Sequence, residues 1–111
     1  MFSEIKTFDE FQNLKENEKA LLGYFSTDAC NVCKVLKPKV AELIQKKFPR
    51  IKLAYIKSDK NPEVAGQHQV FAAPTIIIFF DGRENIRRSR NIGIDELQRE
   101  IDRPYTMLFS E

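Results

Sequence analysis

Blocks of apolar residues separated by polar turns divide the chain into strands and helices. Apolar runs rich in β-branched or aromatic residues predict strands, and apolar residues that recur every three or four positions predict helices. The predicted strands cover 2–6, 20–25, 51–56, 75–80 and 84–92, and the predicted helices cover 8–16, 31–48, 61–69 and 96–101. Strands and helices therefore alternate along most of the chain.

This order of elements predicts an α/β fold. Strands that alternate with helices are typically parallel and joined by crossover connections. The turn Asp81-Gly82 links the last two predicted strands as a hairpin, which adds one antiparallel strand. We therefore expect one domain over residues 1–111, with a central mixed sheet of about five strands flanked by about four helices.

Capping residues and prolines mark the ends of several helices. Thr7 and Glu10 are spaced as a capping box at the start of the first helix. Asp95 is expected to cap the last helix, and Pro104 is expected to lie beyond its end. The segment 104–111 is apolar for a chain end, so it either packs on its own domain or forms a self-association patch. We expect packing, and a monomeric protein.

The composition is that of a globular protein with little net charge. Hydrophobic residues make up 42% of the 111 residues, and the net charge is +2. This balance favours neither nucleic acid nor a membrane surface as a partner. The basic run 83–90 could steer an acidic partner, but a solvated sheet edge is the commoner explanation for such a run and is expected here. The longest apolar run, 76–80, is far shorter than the ~20 residues that span a bilayer, and the N-terminus lacks a signal-peptide pattern. We therefore expect a cytoplasmic protein.

Two cysteines, Cys30 and Cys33, carry the candidate chemistry. Structural disulfides rarely persist in the cytosol, so this spacing favours catalysis or metal binding. Cys30 lies where a strand gives way to a helix, and the free amides and dipole of the helix start favour a thiolate, so its pKa is expected to fall below ~8.5. Cys33, almost one turn later, can attack a mixed disulfide formed at Cys30. We predict that Cys30 is the exposed nucleophile and Cys33 the partly buried resolving thiol.

Other roles for the two cysteines stay open at this point. A structural zinc usually needs four ligands, and the chain adds a single histidine, His68, which is expected to be an exposed residue of a different helix. A metal or cluster shared by two copies could use four thiolates, and an inert pair could belong to a domain that only binds partners. We favour thiol–disulfide exchange without a metal or a cofactor.

The cysteine motif and its surroundings resemble the thioredoxin family over nearly the whole chain. The matching segments are 21–25, 30–34, Pro38, 59–62, 73–75, 81–82 and Gly93. The resemblance implies the thioredoxin fold and a protein-disulfide oxidoreductase that uses the Cys30/Cys33 couple. It also implies that protein disulfides are the substrates and that a reductase or a low-molecular-weight thiol, which the sequence does not identify, returns the electrons.

The resemblance implies that Ala73-Pro74-Thr75 binds substrate. In the family, the proline that matches Pro74 is cis and lies against the cysteine pair. The backbone of the preceding residue, here Ala73, pairs with extended substrate peptides, which is recognition by β-strand addition.

The sequence departs from the thioredoxin pattern around the cysteines. Asn31 and Val32 replace the usual Gly-Pro between them. Tyr24 replaces a buried aspartate beneath the second cysteine, and Tyr55 replaces the lysine partner of that aspartate. Without the acid, we expect exchange that is slower or more specialised than that of general thioredoxins. The alternative is a thioredoxin-fold binding module with non-catalytic cysteines.

Overall fold

A mixed sheet of five strands forms the centre of the structure, a computed structural model that describes residues 2–110. The strands are β1 (Ser3–Ile5), β2 (Ala20–Ser26), β3 (Lys52–Lys57), β4 (Thr75–Phe80) and β5 (Arg83–Ser89), and the helices are α1 (Phe8–Asn17), α2 (Asn31–Lys47), α3 (Pro62–Gln67) and α4 (Ile94–Phe109). The strand order is β1-β3-β2-β4-β5. Strands β1, β3 and β2 are parallel. Strand β4 pairs antiparallel with β2, and β5 pairs antiparallel with β4. The predicted α/β class and mixed sheet are confirmed. Met1 and Glu111, the ends of the predicted domain, lie outside the described residues.

Strand β2 is the middle strand of the sheet and is buried along its whole length. Successive side chains of a strand point to opposite faces of the sheet. Leu22 and Tyr24 accordingly pack in an apolar cluster with α2 and α4, whereas Leu21 and Phe25 pack in a second cluster with α1 and α3. The sheet separates two cores, and β2 contributes to both of them.

Gly23 lets α1 approach β2 closely. A Cβ atom at Gly23 would lie 3.1 Å from Cζ of Phe11, a fully buried residue of α1, and 3.2 Å from the ring of Phe25. These separations are shorter than ordinary van der Waals contact, so a side chain at this position would require the rings of Phe11 or Phe25 to shift by a few tenths of an ångström. The absence of a side chain at Gly23 therefore allows the ring of Phe11 to pack closely on β2.

The predicted capping box at the start of α1 forms with one change of partner. The Thr7 hydroxyl accepts a hydrogen bond from the Glu10 amide at 3.1 Å, as expected. The Glu10 carboxylate accepts from the amide of Lys6 at 2.9 Å rather than from the Thr7 amide. The Glu10 amide is one of those that the first turn of the helix leaves free, whereas the Lys6 amide precedes the helix.

The prediction for the last helix is wrong at both ends. Its N-cap is Gly93, and Asp95 lies in the first turn. The helix continues through Pro104, although proline has no N–H to donate to the carbonyl of Glu100. Residues 104–109 of the predicted tail therefore form the last turns of α4, and Glu111 of that tail lies outside the described residues.

Aromatic packing holds the end of α4 in place. The ring of Tyr105 lies 5.0 Å from that of Phe48 and 4.8 Å from that of Phe109, measured between centroids. The amide of Arg50 donates to the Tyr105 hydroxyl at 3.2 Å. These contacts offset the hydrogen bond that Pro104 removes, because a packed aromatic side chain contributes more than one backbone hydrogen bond.

His68 is buried, so the expectation of an exposed helix residue is wrong. It follows α3 as its C-cap and retains only 9% of its accessible surface. Its ring lies among four phenylalanine rings with centroid distances from 4.8 to 6.2 Å: Phe8, Phe11, Phe25 and Phe79. A histidine in such surroundings packs as an aromatic core residue with two polar atoms that need partners.

The partners of the His68 ring favour one neutral tautomer. Nδ1 lies 2.8 Å from the Val64 carbonyl, which can only accept, and Nε2 lies 3.1 Å from Nζ of Lys15, which as an ammonium can only donate. Burial lowers the pKa of His68, and the positive charges of Lys15 and Arg87 lower it further, against the raising effects of the Val64 carbonyl and Glu84. Burial also lowers the pKa of Lys15.

We predict that the oxidised protein loses stability as the pH falls below ~6.5, the usual pKa of an exposed histidine. The unfolded chain then binds a proton at His68 before the folded chain does, so the stability present above that pH is lost as the folded-state pKa is approached. Urea denaturation between pH 8 and pH 5 measures this effect. His68→Gln should flatten the pH dependence in that window, and equal slopes in the two proteins would contradict the assignment.

Candidate functional site

The two cysteines lie where β2 leads into α2 and are joined as a disulfide, with Cα atoms 5.3 Å apart. Strand β2 ends at Ser26, and Cys30 is the N-cap of α2. The Cys33 amide donates a hydrogen bond to Sγ of Cys30 at 3.1 Å. The sulfur of Cys30 therefore occupies the position in which a capping side chain receives a free amide of the first turn.

The two sulfurs differ in their exposure. Cys30 is half-buried, whereas Cys33 is 3% exposed and belongs to the core cluster that includes Leu36 and Tyr24. The free amides and the dipole at the helix start favour negative charge at Cys30. The arrangement suits a first thiol that meets another molecule and a second thiol that acts only within the chain.

A loop ahead of β4 borders the same cleft as Cys30. The peptide bond between Ala73 and Pro74 is cis, the isomer that the resemblance predicts. The Thr75 hydroxyl donates to the Ala72 carbonyl at 2.7 Å, which fixes the start of β4. A cleft of about 360 Å³ is bordered by Cys30 with Asn31 and Val32 on α2, and by Ala73 and Pro74 on the loop. Both motif residues are exposed, and Val32 retains 59% of its surface.

Tyr24 and Tyr55 meet beneath Cys33, as the sequence predicts. They are paired in register on β2 and β3, and their ring centroids lie 6.1 Å apart. The Tyr24 hydroxyl donates to the backbone carbonyl of Cys33 at 2.8 Å, and the Tyr55 hydroxyl accepts from Ser26 at 2.8 Å. Tyr24 thus links the sheet to the first turn of α2, and it does so through the backbone of Cys33 rather than its sulfur.

Two further side chains complete this aromatic cluster, and no pattern in the sequence indicates the position of either of them. The Phe2 ring lies 5.6 Å from Tyr24 and 6.2 Å from Tyr55. Nζ of Lys37, on α2, lies 3.7 Å from the centroid of the Tyr55 ring, a cation–π contact. Their positions depend on the pairing of distant elements, which local periodicity does not describe.

Tyr24 cannot serve as a base at neutral pH. Its side chain is fully buried, and burial raises the pKa of its hydroxyl far above the usual value of 10.0, with a smaller raising effect from Tyr55. The hydroxyl therefore stays protonated and acts as a donor. Nζ of Lys57 lies 3.9 Å from the carboxylate of Asp28, and Nζ of Lys60 lies 3.3 Å from the same carboxylate.

Residues 2–110 contain neither a helix able to cross a membrane nor a side-chain cluster able to hold a metal ion. None of the helices in this range combines the length and the apolar character needed to cross a membrane. Within the same range, no three histidine, cysteine, aspartate or glutamate side chains cluster in an arrangement that could hold a metal ion.

Comparisons with known proteins point to one family. The family model described as Thioredoxin matches residues 3–103. Thioredoxin-like protein YdfQ of Bacillus subtilis is 32% identical over 100 residues, which cover 90% of this chain and 88% of that protein. Thioredoxin of the same organism is 31% identical over 78 residues, 70% of this chain and 75% of that one. The oxidised mitochondrial thioredoxin 3 of Saccharomyces cerevisiae has the same fold, with a TM-score of 0.83, 24% identity and coverage of 92% and 94% of the two chains.

After reduction of the disulfide, we predict that an alkylating reagent near neutral pH modifies Cys30 on the order of tenfold faster than Cys33. Cys30 is more exposed and receives an amide hydrogen bond at the helix start, which favours the reactive thiolate. Peptide mapping by mass spectrometry after timed quenching measures both rates. If Cys33 reacted first, the roles of the two thiols would have to be exchanged.

Proposed function

This chain belongs to the thioredoxin family, and we propose that it catalyses thiol–disulfide exchange on protein substrates through Cys30 and Cys33. One observation carries the proposal. A disulfide joins a half-buried sulfur at a helix N-cap to a buried sulfur one turn later, beside the cis-proline Pro74. This is the arrangement that exchange requires, because only the first sulfur has to meet the substrate.

The reduced protein transfers two electrons to its substrate in two steps. The Cys30 thiolate attacks one sulfur of the substrate disulfide, and the other substrate sulfur leaves as a thiolate. The Cys33 thiol then loses its proton and attacks Sγ of Cys30, which releases the second substrate thiol. The protein is left with the Cys30–Cys33 disulfide, and a reductase or a low-molecular-weight thiol restores the dithiol.

The loop ahead of β4 is the proposed binding site for the substrate backbone. Ala73 precedes the cis-proline and borders the same cleft as Cys30. An extended peptide placed along Ala73 would pair with its backbone as an added strand. This mode of recognition accepts many peptide sequences, because main-chain hydrogen bonds supply the affinity. Thr75 supports this segment through its bond to the Ala72 carbonyl.

The second step is proposed to limit the rate. Cys33 must lose a proton while buried, and general base catalysis requires an acceptor nearby. Tyr24, beneath it, is held protonated and donates its hydroxyl to the Cys33 carbonyl. Exchange is therefore expected to be slow in a general protein-disulfide reduction assay. Slow exchange is more compatible with a specialised substrate than with a broad range of protein substrates.

A binding module with non-catalytic cysteines is the second candidate. Exposed apolar side chains support it. Val32 and Val35, on either side of Cys33 in the sequence, retain 59% and 61% of their surfaces, and Phe71, between α3 and β4, retains 88%. A redox titration separates the two functions. A reversible two-electron couple between about −150 and −300 mV favours the oxidoreductase, and a disulfide that resists reduction throughout that range favours the binding module.

We predict that Cys33→Ser traps substrates as mixed disulfides through Cys30. Without the resolving thiol, the first step proceeds and the second does not. Incubation of the reduced variant with a disulfide-containing protein, followed by non-reducing electrophoresis and mass spectrometry, measures the adduct. Cys30→Ser is the matched control and should give little adduct, whereas equal trapping by both variants would remove the assignment of Cys30 as nucleophile.

We predict that Tyr24→Asp speeds release of a preformed mixed disulfide, because the new carboxylate can accept the Cys33 proton. It should also destabilise the oxidised protein by about 3 kcal/mol or more, since a packed aromatic side chain is lost and a carboxylate is buried. Single-turnover release between pH 6 and pH 9 and urea denaturation give the two quantities.

Tyr24→Asn is the matched control for this experiment, since it leaves a similar cavity without a carboxylate. Its release rate should stay at or below that of the wild type. Release by the wild-type protein that is as fast as that of Tyr24→Asp, with no dependence on pH, would show that another base serves Cys33.

A further inference from the structure

The segment that follows β5 forms a wall of the cleft beside Cys30. Arg90 and Asn91 border this cleft together with Cys30 and Pro74. The basic run 83–90 is thus not only the solvated sheet edge that the sequence suggests. Its last residue lies at the place where a substrate disulfide has to approach.

Two hydrogen bonds, one made by Arg90 itself and one by the preceding residue, hold the backbone in place here. Its amide donates to the Pro74 carbonyl at 2.7 Å, and the hydroxyl of the preceding Ser89 lies 3.1 Å from that of Thr75. The backbone of Arg90 has φ +66°, a left-handed conformation that glycine or asparagine adopts at lower cost. An arginine kept in this conformation beside a reactive pair suggests a use for its side chain.

The charge of Arg90 is uncompensated, unlike that of its neighbours. Arg87 makes paired hydrogen bonds to Glu84, and Arg88 does the same to Glu100. Within residues 2–110, no carboxylate lies within ion-pair distance of Arg90. Of the described residues that line the cleft, only Arg90 is charged. The cleft therefore presents one free guanidinium next to the cysteine pair.

We infer that Arg90 selects protein disulfides whose flanking sequence carries a carboxylate. The occupant is an extended segment of a substrate protein, with Asp or Glu near the cysteine that joins Cys30. Guanidinium and carboxylate groups pair through two parallel hydrogen bonds, which gives geometric selectivity as well as attraction. This inference rests on the proposed function, since it needs Cys30 to form a mixed disulfide.

Short synthetic peptides closed by one disulfide test the inference. Each peptide is otherwise uncharged and carries Glu at one position near a cysteine, and its reference carries Gln at that position. The reduced protein is mixed with each peptide, and quenching by alkylation followed by mass spectrometry gives the second-order rate constant. At the best position, the Glu peptide should react about threefold faster at low salt, and the difference should shrink in concentrated salt.

Variants of Arg90 assign the preference to its charge. Arg90→Gln should bring the Glu-to-Gln rate ratio close to one, and Arg90→Lys should keep part of the preference. Arg90→Glu should instead favour a peptide with Lys at the same position, which loss of structure alone would not produce. Arg83→Gln is the matched control, since Arg83 is exposed at the other end of β5 and should leave the ratio unchanged.

Two results would overturn the inference while leaving the proposed function in place. One is equal reduction of Glu and Gln peptides by the wild-type protein at every position. The other is a preference for Glu that survives Arg90→Gln. Failure to reduce any of the peptides would overturn the proposed function, and this inference with it.

Discussion

Burial of β2 on both of its faces is the constraint on which the site depends. Because β3 and β4 flank this strand, its register fixes Tyr24 opposite Tyr55 on one side and opposite Ile76 on the other. The strand leads directly to the cysteine pair, and β4 starts directly after Pro74. A shift of one residue in strand register would turn every side chain of β2 to the opposite core. Packing of β2 therefore specifies where the cysteine pair and the loop with Pro74 are placed.

The aromatic pair beneath Cys33 replaces charge with packing and hydrogen bonds. An ionised acid at the position of Tyr24 would need a compensating cation in a fully buried place. Tyr24 instead donates a hydrogen bond to the Cys33 carbonyl, and Tyr55 is covered by the Lys37 ammonium. The first turn of α2 is thereby held on the sheet without a buried charge, but the site loses a group that could take a proton.

The sequence predicted the parts of the molecule that local pattern or a family motif determines. The strand 20–25, the helix after Cys30 and the Tyr24–Tyr55 pairing depend on periodicity and on one known topology. The end of α4, the burial of His68 and the position of Arg90 could not be predicted in this way. Pro104 is tolerated because of Tyr105 and its distant partner Phe48, and His68 is enclosed by rings from three other elements. Such contacts join residues far apart in sequence, which a pattern read along the chain does not contain.

The proposed slow second step and the free charge of Arg90 would reinforce each other. If Cys33 attacked quickly, every mixed disulfide would be carried forward, and only interactions present in the first transition state would affect selection. When Cys33 attacks slowly, the mixed disulfide forms and reverts many times before it is resolved. The overall rate then depends on the stability of the mixed disulfide, so a carboxylate held by Arg90 contributes its full interaction free energy to selection. Under the proposed mechanism, a tyrosine in place of the buried acid would therefore make exchange slower and, through the same step, more discriminating among substrates.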